Sequence, residues 1–231
     1  PSRVDVEASR DIINRPATER LREEAAREAI KEANASPANE DISLAASISA
    51  EDTIDLIFDA IADERGKLGL VQQGAEGQGG ERAPRSADVE AAVSQLAAKT
   101  AADFGTNLSR ETISTLIALS QEEFDEARAT AKSVAGRIMR EMRVSKETLD
   151  AATKRASDAV ESLGLPGATQ KAVSEVVASQ ISPNLVLNPG KVEKAREAAI
   201  RQVKPVMILK GQVVIRRGEI ATEDHIAILQ D

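Results

Sequence analysis

The sequence predicts a mostly helical α+β protein, with a helical body and a short sheet formed by an N-terminal strand and a C-terminal hairpin. Long stretches between residues 18 and 203 carry apolar residues every three or four positions, the spacing of one buried helix face. Near both ends of the chain this period gives way to the alternation that is typical of strands. We therefore expect a single domain over residues 1–231, with a β element at about 4–13 and 203–217 and a helical body at about 18–203.

The composition restricts both the core and the chemistry of the chain. Hydrophobic residues make up 42% of it but Trp and Tyr are absent, so aliphatic and alanine side chains have to form most of the core. Its 30 basic and 38 acidic residues give a net charge of −8, without the basic block that a nucleic-acid partner requires. The absence of cysteine excludes disulfides, thiol catalysis and thiolate metal sites within this chain.

No stretch of the sequence reaches the roughly 18–20 apolar residues that a membrane helix needs. A charged and then apolar secretion signal is also absent from its start. We therefore expect the sequence to be an excised soluble fragment.

The first elements follow from local signals. The alternation in Val4–Ile13 predicts a strand, and Thr18 is expected to cap a helix that runs to about Ala33. Ser49 and Asp52 have the spacing of a capping box. The apolar residues that follow this box lie on one helix face: Ile54, Ile57, Phe58 and Ile61.

The segment from Gln72 to Arg85 has the composition of a flexible loop. It contains four glycines and almost no apolar residue, so ordering it would cost backbone entropy without burying a hydrophobic surface. A phosphate-binding glycine loop is the alternative, but the strand-loop-helix context and the Gly-Lys-Ser/Thr ending of such loops are missing.

Beyond this segment the helical period continues almost without interruption. Ser120 and Glu123 form another capping-box pattern, which predicts the start of a long helix. Ser145 is expected to start the next one, and Asn188-Pro189 opens a further helix as N-cap and first-turn proline.

After Val203 two short strands are predicted, Val206–Leu209 and Gln212–Arg216, joined as a hairpin at Lys210-Gly211. A two-stranded hairpin is marginal by itself, so we expect Val4–Ile13 to pair with it as a third strand.

The candidate catalytic residues of the chain do not form a hydrolytic centre. His225 is the only histidine, whereas a hydrolytic metal site requires several metal-binding side chains. We interpret His225 as a solvated residue of a final helix that Thr222 starts. Acidic pairs such as Glu122-Glu123 lie at helix starts, where they interact with the positive end of the helix dipole. We therefore expect no catalytic residue, metal site or cofactor here.

Arg216, Arg217, Gly218 and Glu219 are the most specific local cluster. They could hold an anionic ligand or form a turn that couples the domain to its neighbours. Alternatively, Gly218 supplies a left-handed turn and the charges simply face water.

The long helices carry alanine-rich stripes with Met139 and Met142 nearby. Such stripes could dock a partner helix or form a homodimer, but an intramolecular core is their commoner use.

Several segments occur in the order seen in one known family. They are Thr18-Glu19-Arg20-Leu21-Arg22-Glu23-Glu24-Ala25, Pro183-Asn184, Ala195-Arg196-Glu197-Ala198, Val203-Lys204-Pro205-Val206 and Lys210-Gly211 through Gly218-Glu219 to Thr222. In this arrangement the chain resembles the extracellular domain of bacterial seven-transmembrane HD-type phosphohydrolases, the membrane cyclic di-AMP phosphodiesterases.

The resemblance implies a non-catalytic extracellular sensor or regulatory domain on the extracytoplasmic face of a bacterial membrane. The metal-dependent phosphodiesterase of the parent protein would lie on a cytoplasmic domain outside this chain. Its partners would be the membrane helices of the parent chain and an unknown extracellular ligand or protein. Both ends would return to one membrane surface, which pairing of the first and last strands would achieve. The alternative is a freestanding helical interaction or scaffold module, and an enzyme acting through this chain alone has the least support.

Overall fold

The structure is a computed structural model that describes residues 2–70 and 85–230. The prediction of a mostly helical fold with a small β element is confirmed, because helices occupy most of the described residues and each strand has only two or three. Apart from Arg85, the predicted loop from Gln72 to Arg85 lies outside the described residues.

In chain order the described elements are β1 (Val6–Glu7), β2 (Ile12–Ile13), α1 (Arg15–Ala35), a 3-10 turn (Pro37–Asn39), β3 (Glu40–Ile42), α2 (Leu44–Lys67), α3 (Ser86–Phe104), α4 (Arg110–Ala118), α5 (Gln121–Glu141), α6 (Leu149–Glu161), α7 (Gly167–Gln180), β4 (Leu185–Leu187), α8 (Pro189–Gln202), β5 (Met207–Ile208), β6 (Val213–Ile215) and α9 (Glu223–Leu229). The strands form three two-stranded sheets, β1 with β6, β2 with β5 and β3 with β4.

The chain divides into two compact units. Pro1–Glu40 and Leu187–Asp231 form one, which we call the terminal unit, and Asp41–Val186 forms the other, the helical unit. The predicted boundary between β element and helical body differs from this division, because α1 and α8 belong to the terminal unit.

In the terminal unit, α1 and α8 pack on each other in antiparallel directions. The Val206 amide, just beyond the end of α8, donates to Thr18 Oγ1 in the first turn of α1 at 3.0 Å. At the opposite ends, the Asn188 amide donates to the Asn39 carbonyl at 2.8 Å.

Three predicted helix starts are wrong, each by a few residues. Helix α1 begins three residues before Thr18, because Asn14 is its N-cap and accepts from the Ala17 amide at 3.0 Å. Helix α2 begins at Leu44, so Ser49 lies inside it and its apparent capping box is not used. Helix α6 begins at Leu149, after the turn that starts with Ser145.

Three other predicted starts are confirmed. Ser120 and Glu123 form a reciprocal capping box at the start of α5. Asn188 is the N-cap of α8, with a proline in the first turn. Thr222 caps α9.

The helical unit contains one hydrophobic core that joins α2 to α7. Its two fully buried aromatic rings, Phe58 and Phe124, lie 5.1 Å apart between centroids. Helix α5 contributes alanines with no exposed surface, among them Ala127 and Ala131. These small side chains allow α5 to lie close to α2, and at Gly136 an added Cβ would overlap the Glu51 side chain.

Arg65 is an unexpected member of this core, with only 1% of its surface exposed. Its guanidinium lies 4.3 Å from the centre of the Phe124 ring, and its Nη1 donates to the Leu116 carbonyl at 3.0 Å. These contacts with α5 and with the end of α4 offset part of the cost of burying a charge.

Asn184 ties the end of α5 to the segment that follows α7. Only 1% of it is exposed, and its Nδ2 donates to the Met139 and Met142 carbonyls at 2.7 and 2.8 Å. Its Oδ1 accepts from the Val144 amide at 2.8 Å. One side chain therefore satisfies three backbone groups at the end of a helix, where such groups lack helical partners.

Glu175 of α7 fulfils a similar role at the start of α4. Its carboxylate accepts from the Ser109 amide and Oγ at 2.5 and 2.7 Å and from Thr112 Oγ1 at 2.5 Å. Burial alone would raise the pKa of Glu175, but these hydrogen bonds outweigh it and hold the pKa below its ordinary value of 4.5.

Glu175→Gln is expected to lower the free energy of unfolding by about 1–2 kcal/mol at pH 7, because it removes charge-assisted hydrogen bonds. Since the folded-state pKa is lowered, this stabilisation is present above the unfolded pKa and is lost as the pH falls through the folded value. The difference between the wild type and the variant should therefore shrink below about pH 4. Urea unfolding at pH 7 and pH 3 measures it, and a difference that did not depend on pH would contradict this assignment.

Candidate functional site

The candidate site lies in the terminal unit, where the two ends of the chain pair. Val6 is opposite Ile215 and Glu7 opposite Val213, while Ile12 is opposite Ile208 and Ile13 opposite Met207, all antiparallel. The predicted pairing of the N-terminal segment with the C-terminal strands is thus confirmed.

The prediction that the C-terminal strands form a hairpin with each other is wrong. Among the described residues, β5 pairs with β2 and β6 with β1, and no ladder joins β5 to β6. The physical reason is that the N-terminal segment takes up the backbone groups of both strands and of the turn between them. Ala8, which is buried, donates to the Gln212 carbonyl and accepts from the Gly211 amide, both at 2.9 Å.

That turn runs from Leu209 to Gln212 and closes with a 3.0 Å bond from the Gln212 amide to the Leu209 carbonyl. Gly211 has a φ of 85°, which a side chain would make costly. The Lys210 amide donates to Asp11 Oδ1 at 2.8 Å.

A second turn, Arg216 to Glu219, repeats these contacts. It closes with a 3.0 Å bond from the Glu219 amide to the Arg216 carbonyl, and Gly218 has a φ of 88°. The Arg217 amide donates to Asp5 Oδ1 at 2.6 Å. Ser2 takes the place of Ala8, donating to the Glu219 carbonyl and accepting from the Gly218 amide, both at 3.0 Å.

The two sheets and two turns, residues 2–13 and 206–219, are called the terminal clasp here. Sequence reasoning missed the two aspartates, Asp5 and Asp11, that hold its turns. A sequence signal for them exists, because Lys210-Gly211-Gln212 is repeated as Arg217-Gly218-Glu219. The separation between Asp5 and Asp11 is similar to the separation between these two repeats.

The four predicted site residues, Arg216, Arg217, Gly218 and Glu219, all lie in the second turn, but only Arg216 lines a cleft. All four are exposed, and the Glu219 carboxylate accepts from the Arg216 amide at 3.1 Å. Arg216 also lines a cleft of about 530 Å³ beside β6 and α9, which the other three do not line.

His225 lies on α9, the predicted final helix, and lines the same cleft. It is half-buried, and its Nδ1 accepts from the Thr222 amide at 3.2 Å while its own amide donates to Thr222 Oγ1. His225 thus completes the capping box of α9. An ion pair between Arg20 and Asp224 connects this helix to α1.

This chain belongs to the 7TM-HD extracellular family, which it matches over residues 1–231. It is also similar to the protein called cyclic-di-AMP phosphodiesterase PgpH in two bacteria. In Bacillus subtilis (strain 168) the identity is 25% over 122 residues, which cover 53% of this chain and 17% of the relative. In Listeria monocytogenes serotype 1/2a (strain 10403S) it is 27% over 110 residues, 48% of this chain and 15% of the relative.

The matched regions therefore span less than a fifth of these relatives. No solved structure is significantly similar to the chain. Within residues 2–70 and 85–230, none of the helices has the length and apolar character needed to cross a membrane.

Proposed function

We propose that this chain is the non-catalytic sensor or regulatory domain of a membrane-bound HD-type cyclic di-AMP phosphodiesterase, on the extracytoplasmic face of a bacterial membrane. Membership in a family of extracellular domains supports this location. The name of the two relatives supports the activity of the parent protein. Hydrolysis would take place in a part of the parent protein outside this chain.

The observation that carries the regulatory role is the terminal clasp. Ser2 and Glu219 are joined by a backbone hydrogen bond of 3.0 Å, so a displacement of either segment would move the other. In the parent protein, membrane helices on both sides of the domain would receive that displacement together. A ligand or protein that binds one arrangement of the clasp better than another would shift the population of the two.

A disulfide across the clasp tests this proposal. Glu7 and Val213 are Cα partners across β1 and β6, next to a register shift between Val6 and Glu7, and both are exposed. Paired residues of antiparallel strands have Cα separations within the range of a disulfide. We expect oxidation of the Glu7→Cys/Val213→Cys variant of the full-length protein to change its rate of cyclic di-AMP hydrolysis by about fivefold or more, a typical size for allosteric coupling. Reduction should restore the original rate.

The natural chain has no cysteine, so each single variant, Glu7→Cys or Val213→Cys, is a matched control that cannot form the bond within the domain. An unchanged rate after complete oxidation of the double variant would refute coupling through the clasp. Metal-dependent hydrolysis of cyclic di-AMP by the isolated 231-residue chain would refute its non-catalytic role.

A further inference from the structure

The cleft beside β6 and α9 has an unusual set of polar side chains, because none of them is a carboxylate. Its polar lining is Asn14, Gln212, Arg216 and His225, and its apolar lining is Ile208, Val213, Val214 and Ile228. All eight residues belong to the terminal unit. Its volume of about 530 Å³ lies within the range of small-molecule sites.

Three of the polar side chains have an acceptor atom that is already bound to a backbone amide. Asn14 Oδ1 accepts from Ala17 at 3.0 Å, and Gln212 Oε1 accepts from Leu209 at 2.9 Å. His225 Nδ1 accepts from Thr222 at 3.2 Å. These bonds fix the orientation of both amide groups, since the reversed orientation would set an NH₂ group against a backbone amide. They also place the proton of neutral His225 on Nε2.

The remaining side-chain hydrogen-bonding atoms of the cleft are therefore donors. They are Asn14 Nδ2, Gln212 Nε2, His225 Nε2 and the Arg216 guanidinium. Within the part of the chain that the structure describes, no acceptor is hydrogen-bonded to any of these donors. None of the acids beside the cleft lines it: the Glu219 carboxylate accepts from the Arg216 amide, Asp224 pairs with Arg20, and Glu7, the strand partner of Val213, is exposed.

A cleft with several free donors, one permanent positive charge and no lining carboxylate complements a group that has only acceptors and a negative charge. Carboxylates and phosphates are such groups, and arginine binds both with paired hydrogen bonds. The apolar residues of the same cleft complement an aliphatic or aromatic portion of the ligand.

We propose that this cleft binds a small organic anion, whose carboxylate or phosphate is held by Arg216, His225, Gln212 and Asn14 and whose apolar portion lies against Ile208 and Ile228. The anion would contact β5 and β6 of the clasp as well as α9. Its role as the regulatory signal rests on the proposed function above, whereas its binding does not.

Calorimetric titration of the 231-residue chain tests the binding, with hexanoate, hexyl phosphate, inorganic phosphate and hexylammonium as probes. We expect saturable one-to-one binding of hexanoate or hexyl phosphate, and the tighter of the two identifies the preferred acidic group. Inorganic phosphate should bind more weakly because it lacks the apolar portion, and hexylammonium should not bind. The absence of saturable binding by both organic anions would overturn the proposal, as would equal binding of hexylammonium.

Two substitutions then assign the site. Arg216→Gln removes the charge, and we expect it to weaken anion binding by about tenfold or more. His225→Glu should weaken binding at least as much, because it replaces a donor by a negative charge. Glutamate is a usual partner in a capping box, so this variant keeps the acceptor for the Thr222 amide and should remain folded.

Lys210→Gln is the charge control, since it removes a positive charge from the other turn of the clasp, outside the cleft. It should leave the affinity unchanged, and an equal loss would show that binding follows net charge alone and would overturn the site. The disulfide experiment requires no ligand, so failure of the titrations would leave the proposed coupling intact.

Discussion

Asn184→Ala is expected to lower the free energy of unfolding of the helical unit by about 3 kcal/mol or more. The substitution leaves the Val144 amide and the Met139 and Met142 carbonyls without the partner that now lies 2.7 to 2.8 Å from each. An orphaned buried backbone group costs about 1–3 kcal/mol. Because the chain has neither Trp nor Tyr, urea unfolding is best followed by far-ultraviolet circular dichroism.

Asn184→Asp is the matched variant, because it keeps the size of the side chain and the acceptor for Val144. At neutral pH it sets a carboxylate oxygen against two carbonyl oxygens, so we expect a loss at least as large as that of the alanine variant. Acidification should recover part of the loss, since a protonated carboxyl can donate one hydrogen bond. A cost below about 1 kcal/mol for Asn184→Ala would mean that water replaces the lost bonds, contrary to this account.

Deleting residues 1–13 is expected to unfold the C-terminal half of the terminal clasp. The deletion removes every strand partner of β5 and β6, together with the acceptors Ala8 and Ser2 of the two turn glycines. Amide exchange at Gly211 and Gly218 should accelerate by about tenfold or more, since each net hydrogen bond contributes about 1 kcal/mol and burial of Ile215 adds more. Hydrogen-exchange mass spectrometry measures this change.

Two substitutions at Gly218 separate loss of the turn from loss of the strand. Gly218→Val should accelerate exchange in β6, because a β-branched residue is strained at a φ of 88°. Gly218→Asn should have a smaller effect, because asparagine tolerates positive φ better. An unchanged exchange rate at Gly211 after the deletion would show that the C-terminal strands are stable without the N-terminal segment, contrary to this account.

The part of the fold that could be predicted from sequence is the part set by neighbouring residues. The Ser120 capping box depends on groups three residues apart, and Asn188-Pro189 depends on the fixed φ of proline. Ser49 and Asp52 show the limit of such signals. The same pattern is present there, but Ser43 caps the helix earlier and the core residues extend it through Ser49.

The candidate site was predictable only in part for the same reason. Arg216 and Gly218 could be identified from a local cluster, but the cleft depends on residues from both ends of the chain. Asn14 lies about two hundred positions before Gln212 and His225, and no local pattern connects them. The capping role of His225 has only a weak local signal, because His225 stands three residues after Thr222, where a capping box usually has glutamate or glutamine.

By itself, the sequence determined the helical class of this protein, its aromatic-poor core, the position of its C-terminal strands and the glycines of its turns. These follow from periodicity, composition and backbone preferences, which act over a few residues. Only the tertiary structure decided that β5 and β6 pair with the N-terminus and not with each other. It also decided that Asp5 and Asp11 hold the turns and that Glu175 and Asn184 cap helices distant in sequence. Each of these contacts satisfies a backbone group from a remote segment, and which segment arrives there is determined by the packing of the whole unit.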